Sequence, residues 1–277
     1  MSAEPSHPLT PHNSQLTPQS LTPRQLTPQQ LTVRGIHVDD EVEPGADLAG
    51  LLTAALQRDG TMLAAGDVLV VAQKIVSKAE GRLVALADVE PSPFAREYAA
   101  AHGRDARLVE LVLRESRRIV RMDRGIIIAE TQHGFVCANA GIDLSNVSGG
   151  DVACLLPRDP DRSAAELRAE LNRRTGVAPA VIVSDTFGRP WRAAATNVAL
   201  GVAGLGPIRS HIGERDAQGY QLRATEVAAA DELAGAAELV MGKTDRRPFA
   251  LISGYPAESE PGSARELVRD PAMDLFR

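Results

Sequence analysis

DVLVVAQKIVS, residues 67–77, is a dense run of β-branched and apolar side chains with little polar interruption, and it reads as a buried strand. A strand of that kind needs partners, and the chain on either side supplies them. LTVRGI, from Leu31, reads as a short strand. PGADLAGLLTAALQRDG then reads as a helix opened by Pro44 and Asp47, with Leu48, Leu51, Leu52 and Leu56 at helical spacing and Gly60 as its stop. Within 91–118, PSPFAREYAAAHG and ARLVELVLRESRR read as helical, and GIIIAET from Gly125 as a strand. Farther on, SAAELRAELNRRTG reads as a helix in which Ser163 and Glu166 match a capping box. APAVIVSDT reads as a strand emerging at Asp185, TEVAAADELAGAAELVMG (225–242) as a helix and RPFALIS as a last strand. The Gly/Ala-rich run NVALGVAGLG suits a close approach of backbones. This mixture implies an α+β or α/β architecture with a broad sheet.

Composition narrows the function classes. Over 277 residues the formal net charge is −6, with both signs interspersed, so nucleic acid is not an expected partner, whereas an anionic small molecule remains open. Cys137 and Cys154 are too few for a secreted disulfide scaffold. The start MSAEPSHPLT lacks a basic segment followed by an apolar core, and no apolar window is long enough for a membrane span. A cytoplasmic location follows as the expectation. Residues 1–30 form an LTP-rich tail, with Leu16, Leu21, Leu26 and Leu31 at a period of five and Pro18, Pro23 and Pro28 between them. That period fits neither helix nor strand, and the tail is expected to be disordered. The folded domain is expected over 31–277, with the region around 90–175 as a candidate second subdomain.

Several polar residues sit where strands end. Asp143, in HGFVCANAGIDLSNV (133–147), and Asp185, with Thr186 in SDTFGRPWR, follow apolar strands and could hold a hard cation such as Mg²⁺; either could equally cap a turn or accept from an arginine. Lys78 in IVSKAEG could set a point charge against phosphate, or be a solvated surface lysine. Arg189 and Arg192 flank Trp191 and could fork onto an anion or pair with acidic neighbours. Cys137 lies in the apolar context FVCA, which hides a thiol more often than it exposes one. There is no GxxxxGK[ST], CxxC, HExxH or GxSxG pattern.

Taken together and in order, DVLVVAQKIVSKAEGR, ETQHGFVCANAGIDLSNV, VIVSDTFGRPWR, NVALGVAG and ADELAGAAELVMGK resemble the coenzyme F420-0:L-glutamate ligase (F420 γ-glutamyl ligase) family, over about Gly35 to Phe276. The resemblance implies an α+β fold with mixed and antiparallel sheets, flanking helices and an intertwined homodimer. It implies a GTP-dependent ligase that adds L-glutamate to coenzyme F420-0 and then further glutamate by γ-linkage, through an acyl phosphate. The chain resembles the form with the ligase domain alone. Mg²⁺ or Mn²⁺, and also K⁺, are the implied ions.

The implied roles fall on Asp143 and Asp185 as metal ligands, with Thr186 helping to hold a second cation, and on Lys78 as phosphate partner. Implied nucleotide contacts fall on Gly35, Ile36, His37 and Val38, on Gln73, Lys74, Lys78 and Asn146, and on Met241, Gly242, Lys243, Thr244 and Asp245, towards Pro248. Two positions depart from the family pattern: Lys243 stands where some relatives have an acidic or amide residue, and Asn197 where relatives often have Asp. A ligase for a different small carboxylate and an inactive nucleotide-binding homologue are the rival readings.

Overall fold

The computed structural model describes residues 30–144, 151–257 and 261–274. The LTP-rich tail up to residue 29, and with it the expectation of disorder, lies outside the described residues. β1 (Thr32–Ile36) leads through α1 (Leu48–Arg58) to β2 (Val68–Ala72). Asp47 caps α1, accepting from the Gly50 N–H at 2.9 Å, and so satisfies one of the donors that a helix start leaves open.

β2 ends at Ala72 and α2 (Gln73–Ala79) follows with no loop between them. One strand across 67–77 is therefore a misreading of a strand joined directly to a helix. Ile75 and Val76 pack on the same core as Leu69 and Val71, and a short apolar run does not distinguish a buried helical turn from a buried strand.

β3 (Leu83–Ala85) is followed by α3 (Pro93–His102) and α4 (Ala106–Glu115). β4 (Ser116–Asp123), β5 (Ile126–Thr131) and β6 (Val136–Ala138) then form an antiparallel sheet. The helix expected through Arg118 stops at Glu115, because Ser116 takes extended backbone angles and Arg118 pairs across the strands with Glu130 at 3.0 Å. Ile119 and Met122 of β4 pack on the apolar cluster of Ala95, Ala99, Val109, Val112 and Ile127, which gives this unit a core of its own.

β7 (Val152–Cys154) returns to pair with β3. α5 (Pro160–Thr175) begins at Pro160 behind Asp159, whose carboxylate accepts from the Arg162 N–H at 3.2 Å. Ser163 is thus inside the first turn rather than at the cap, with its hydroxyl on Asp159 O and on Glu80; Pro160 at the first helical position was the better start signal. A capping box forms instead at Ser263 and Glu266.

β8 (Ala180–Arg189) and β9 (Arg192–Ala203) make a long hairpin. A small ribbon of β10 (Arg209–Ser210) and β11 (Glu226–Val227) precedes α6 (Ala229–Met241), so Thr225–Ala228 are not helical as expected. β12 (Phe249–Ser253) closes the main sheet.

That sheet has the order β1-β12-β2-β8-β9, parallel only between β2 and β8. Alternate residues of β2 feed two cores. Leu69 and Val71 face Leu52 and Leu56 of α1 and Leu171 of α5, while Val68 and Val70 face Leu233, Ala234 and Ala237 of α6. This two-sided burial is why β2 shows no polar alternation. Each valine or leucine among them contributes roughly 1.5–3 kcal/mol when fully buried. Gly201 of β9 permits the close approach that the small-residue run suggested: a Cβ there would lie 2.2 Å from the Pro160 carbonyl carbon. Among the described residues no helix is long and apolar enough to cross a membrane.

Candidate functional site

A cavity of about 980 Å³ opens at the carboxyl ends of the parallel strands, where Ala72 and Ser184, the last paired residues of β2 and β8, both line its wall. Open sheets present ligand sites at such ends. Because α2 starts at Gln73, Lys74 and Lys78 are separated by one helical turn on one face, and both line the cavity.

Lys74 Nζ lies 2.7 Å from Asp143 Oδ2. Lys78 Nζ lies 2.8 Å from Glu41 Oε1, and its side chain is only 10% exposed, so it is not a solvated surface lysine. The hydrogen bond from Lys78 holds the Glu41 carboxyl below the ordinary glutamate range. Gln73 is buried, and its amide N–H groups are taken up by Ser77 Oγ (2.6 Å) and Leu155 O (3.3 Å).

Asp143 hangs from an irregular turn. Asn139, Ala140 and Gly141 have φ of 50°, 53° and 69°, an unusual left-handed run for the two non-glycine residues. Asp143 is then fixed by backbone hydrogen bonds to Cys154 in both directions, at 3.0 and 2.8 Å.

Asp185 does not sit in a loop after its strand. β8 continues to Arg189, and Asp185 lies within it opposite Val198. It is half-buried, and burial pushes its carboxyl up to about 6. The Thr186 backbone N–H opposes this rise, the negative charge of Asp143 adds to it, and Lys74 and Lys243 oppose it. Next to Asp185, the Thr186 hydroxyl donates to Asn197 Oδ1 at 2.7 Å and accepts from Lys243 Nζ at 2.6 Å.

Of the other residues singled out from the sequence, Val38, Met241, Gly242, Lys243 and Thr244 line the cavity. Gly35, Ile36, His37 and Asp245 are not on its wall. Gly35 faces the Val240 carbonyl, where a Cβ would come within 2.6 Å, and Ile36 is in the core. His37 Nδ1 is 3.0 Å from Asp245 O, tying the two segments together. Asn146 lies outside the described residues.

Cys137 is buried, and its thiol is pushed up to about 12, first by burial and then by Asp185. It is a packing residue with almost no thiolate at neutral pH. His133 turns its Nε2 to Pro157 O at 2.8 Å.

Sequence reasoning missed Glu41, Ser184 and Glu238, all on the cavity wall. The acidic run DDEVE just after β1 was the available signal for Glu41.

Among the described residues no group of three or more His, Cys, Asp or Glu forms a metal cluster. Two carboxylates on one cavity wall, one of them holding its proton to about pH 6, still suit a hard cation whose remaining oxygens come from a ligand and water. A positive ion there would relieve both the burial of Asp185 and its repulsion from Asp143.

The chain matches the family F420-0:Gamma-glutamyl ligase over residues 36–254, a span that holds both aspartates and both α2 lysines. It is 50% identical over 240 residues to the coenzyme F420:L-glutamate ligase of Methanothermobacter thermautotrophicus, covering 85% of this chain and 94% of that protein. It is 44% identical over 250 residues to the protein of the same name from Methanopyrus kandleri, covering 88% of this chain and 97% of that protein. With the one from Methanocaldococcus jannaschii the identity is 41% over 213 residues, covering 76% of this chain and 85% of that protein.

Proposed function

The chain belongs to the F420-0:γ-glutamyl ligase family, and from that premise we propose that it joins L-glutamate to coenzyme F420-0 at the expense of GTP and then adds glutamate through a γ-linkage. One observation carries the reading to this chain: Asp143, Asp185, Lys74 and Lys78 share the wall of one cavity at the carboxyl ends of β2 and β8. The reading includes a homodimer and a cytoplasmic location.

A carboxylate resists attack by an amine because its oxygen is a poor leaving group. Transfer of the γ-phosphoryl group of GTP to the acceptor carboxylate breaks the bond between the γ-phosphorus and the β–γ bridging oxygen, releases GDP and leaves an acyl phosphate. The glutamate amine then attacks the acyl carbon, phosphate departs with its oxygen, and an amide forms once the nitrogen has lost a proton. Asp143 and Asp185 would hold Mg²⁺ or Mn²⁺, which when bound neutralises charge developing between the β- and γ-phosphates. Lys78 exchanges Glu41 for a phosphate oxygen, and Lys74 leaves Asp143 for the same anion. Both lysines start from a fixed helix, so little ordering is needed when the nucleotide arrives.

Purified protein incubated with F420-0, L-glutamate, GTP and Mn²⁺ is expected to give products heavier by successive glutamyl increments, read by chromatography and mass spectrometry. Absence of any glutamyl product under both Mg²⁺ and Mn²⁺ would defeat the proposal. GTP consumption only with another carboxylic acid would transfer it to the altered-acceptor reading.

A further inference from the structure

Beyond Asp185 the cavity wall carries a further charged group, Lys243. Lys243 follows Gly242, the residue of φ 62° that ends α6, and its ammonium is placed between two partners: Thr186 Oγ1 at 2.6 Å and Glu238 Oε1 at 2.6 Å. The Thr186 hydroxyl has a single proton, which it donates to Asn197 Oδ1 at 2.7 Å, so it faces Lys243 as an acceptor. Asn197 is buried and turns its amide towards Ser184 Oγ at 3.5 Å. Lys243, Thr186, Asn197 and Glu238 all line the cavity beside Asp185.

The chemistry of this arrangement is that of a cation site already filled by a side chain. An incoming ion at Thr186 would meet an ammonium within bonding distance of the same oxygen, and would have to displace it from both a hydroxyl and a carboxylate. Asn197 adds a neutral amide where a carboxylate would be needed to offset a further positive charge. An ammonium has three N–H groups, and two are directed at Thr186 and Glu238, which leaves one for an anionic oxygen of a ligand.

We propose that Lys243 is a built-in counter-cation that takes the place of a second metal ion beside Thr186, so that each site binds one divalent ion. This rests on the reading that Asp143 and Asp185 hold that ion. The test dialyses the full chain to equilibrium against Mn²⁺ and a non-hydrolysable GTP analogue and counts bound ions as the excess of manganese on the protein side.

The expected counts are one equivalent for the wild type, one for Lys243→Arg, which keeps the charge, and two for Lys243→Gln, which removes the charge and adds an oxygen donor. If Lys243→Gln does not fold by circular dichroism, Lys243→Ser is counted in its place and read the same way. Two equivalents in the wild type, or one in the neutral variant, would overturn the proposal while leaving the metal-dependent reading intact. No bound Mn²⁺ in wild type or variants would remove that reading itself, and this proposal with it.

Discussion

Asp143 and Asp185 face one cavity from two kinds of backbone, and the contrast separates their chemistry. Asp143 projects from a left-handed turn tied to Cys154, its side chain is 43% exposed, and Lys74 meets it at 2.7 Å. Asp185 is set into a paired strand, and neither Lys74 nor Lys243 offsets its burial, so its proton is held to about pH 6. One carboxylate is therefore balanced by charge within the protein, while the other is held in a state that an added cation would relieve. A strand fixes Asp185 in place but also removes water from it, and that tension marks it as the residue on which the proposed ion binding would depend most.

The largest effect expected from breaking this contrast is on turnover. Asp185→Asn should lower kcat by at least about 100-fold while the fold is retained, in line with the loss of one preorganised electrostatic group; steady-state GDP release measures it, and near-normal turnover at low Mn²⁺ would count against the assignment.

The same variant should gain stability without metal. A carboxyl that keeps its proton to about 6 in the fold, against an ordinary 3.8, disfavours the native state progressively as pH rises from about 4 to about 6. Asp185→Asn removes that effect, so its advantage over wild type should be absent below pH 4 and grow to at most about 3 kcal/mol above pH 7. Chemical denaturation in a chelator across that range reads it.

A smaller effect is expected one residue along. Thr186→Val leaves Asn197 Oδ1 buried without its donor and should cost about 1–3 kcal/mol, seen as a lower denaturation midpoint. The smallest is an electrostatic shift: Lys74→Met removes a positive charge acting on Asp185 and should raise its titration midpoint, as followed by carboxyl carbon NMR, while Mn²⁺ should lower it in both proteins. A midpoint unmoved by Lys74→Met would mean that the two aspartates are not linked through this lysine.

Much of the main sheet was legible from sequence, because β2, β8 and β12 each contain a dense apolar run, and Asp47 and Gly60 bracket α1 as expected. The site was harder to read. KIVSK continues the apolar character of β2, so its change from strand to helix was hidden, and with it the placing of Lys74 and Lys78 on one helical face. DTFGR lacks apolar density, yet it remains strand because RAAATN pairs with it across the hairpin. The turn that aims Asp143 depends on left-handed angles at Asn139 and Ala140, and alanine gives no local hint of them. Glu41 is far in sequence from its partner Lys78, and only the tertiary fold brings them together. Local propensity thus reported the layers of the fold, and long-range packing determined what meets in the cavity.

Asp143 and Asp185 are proposed to hold together the ion that positions the nucleotide phosphates. Diffraction from crystals grown with Mn²⁺ and a non-hydrolysable GTP analogue tests it directly through the anomalous signal of manganese. A peak within coordination distance of both carboxylates and of a phosphate oxygen is the predicted result; manganese bound away from either aspartate, or phosphates outside this cavity, would contradict it.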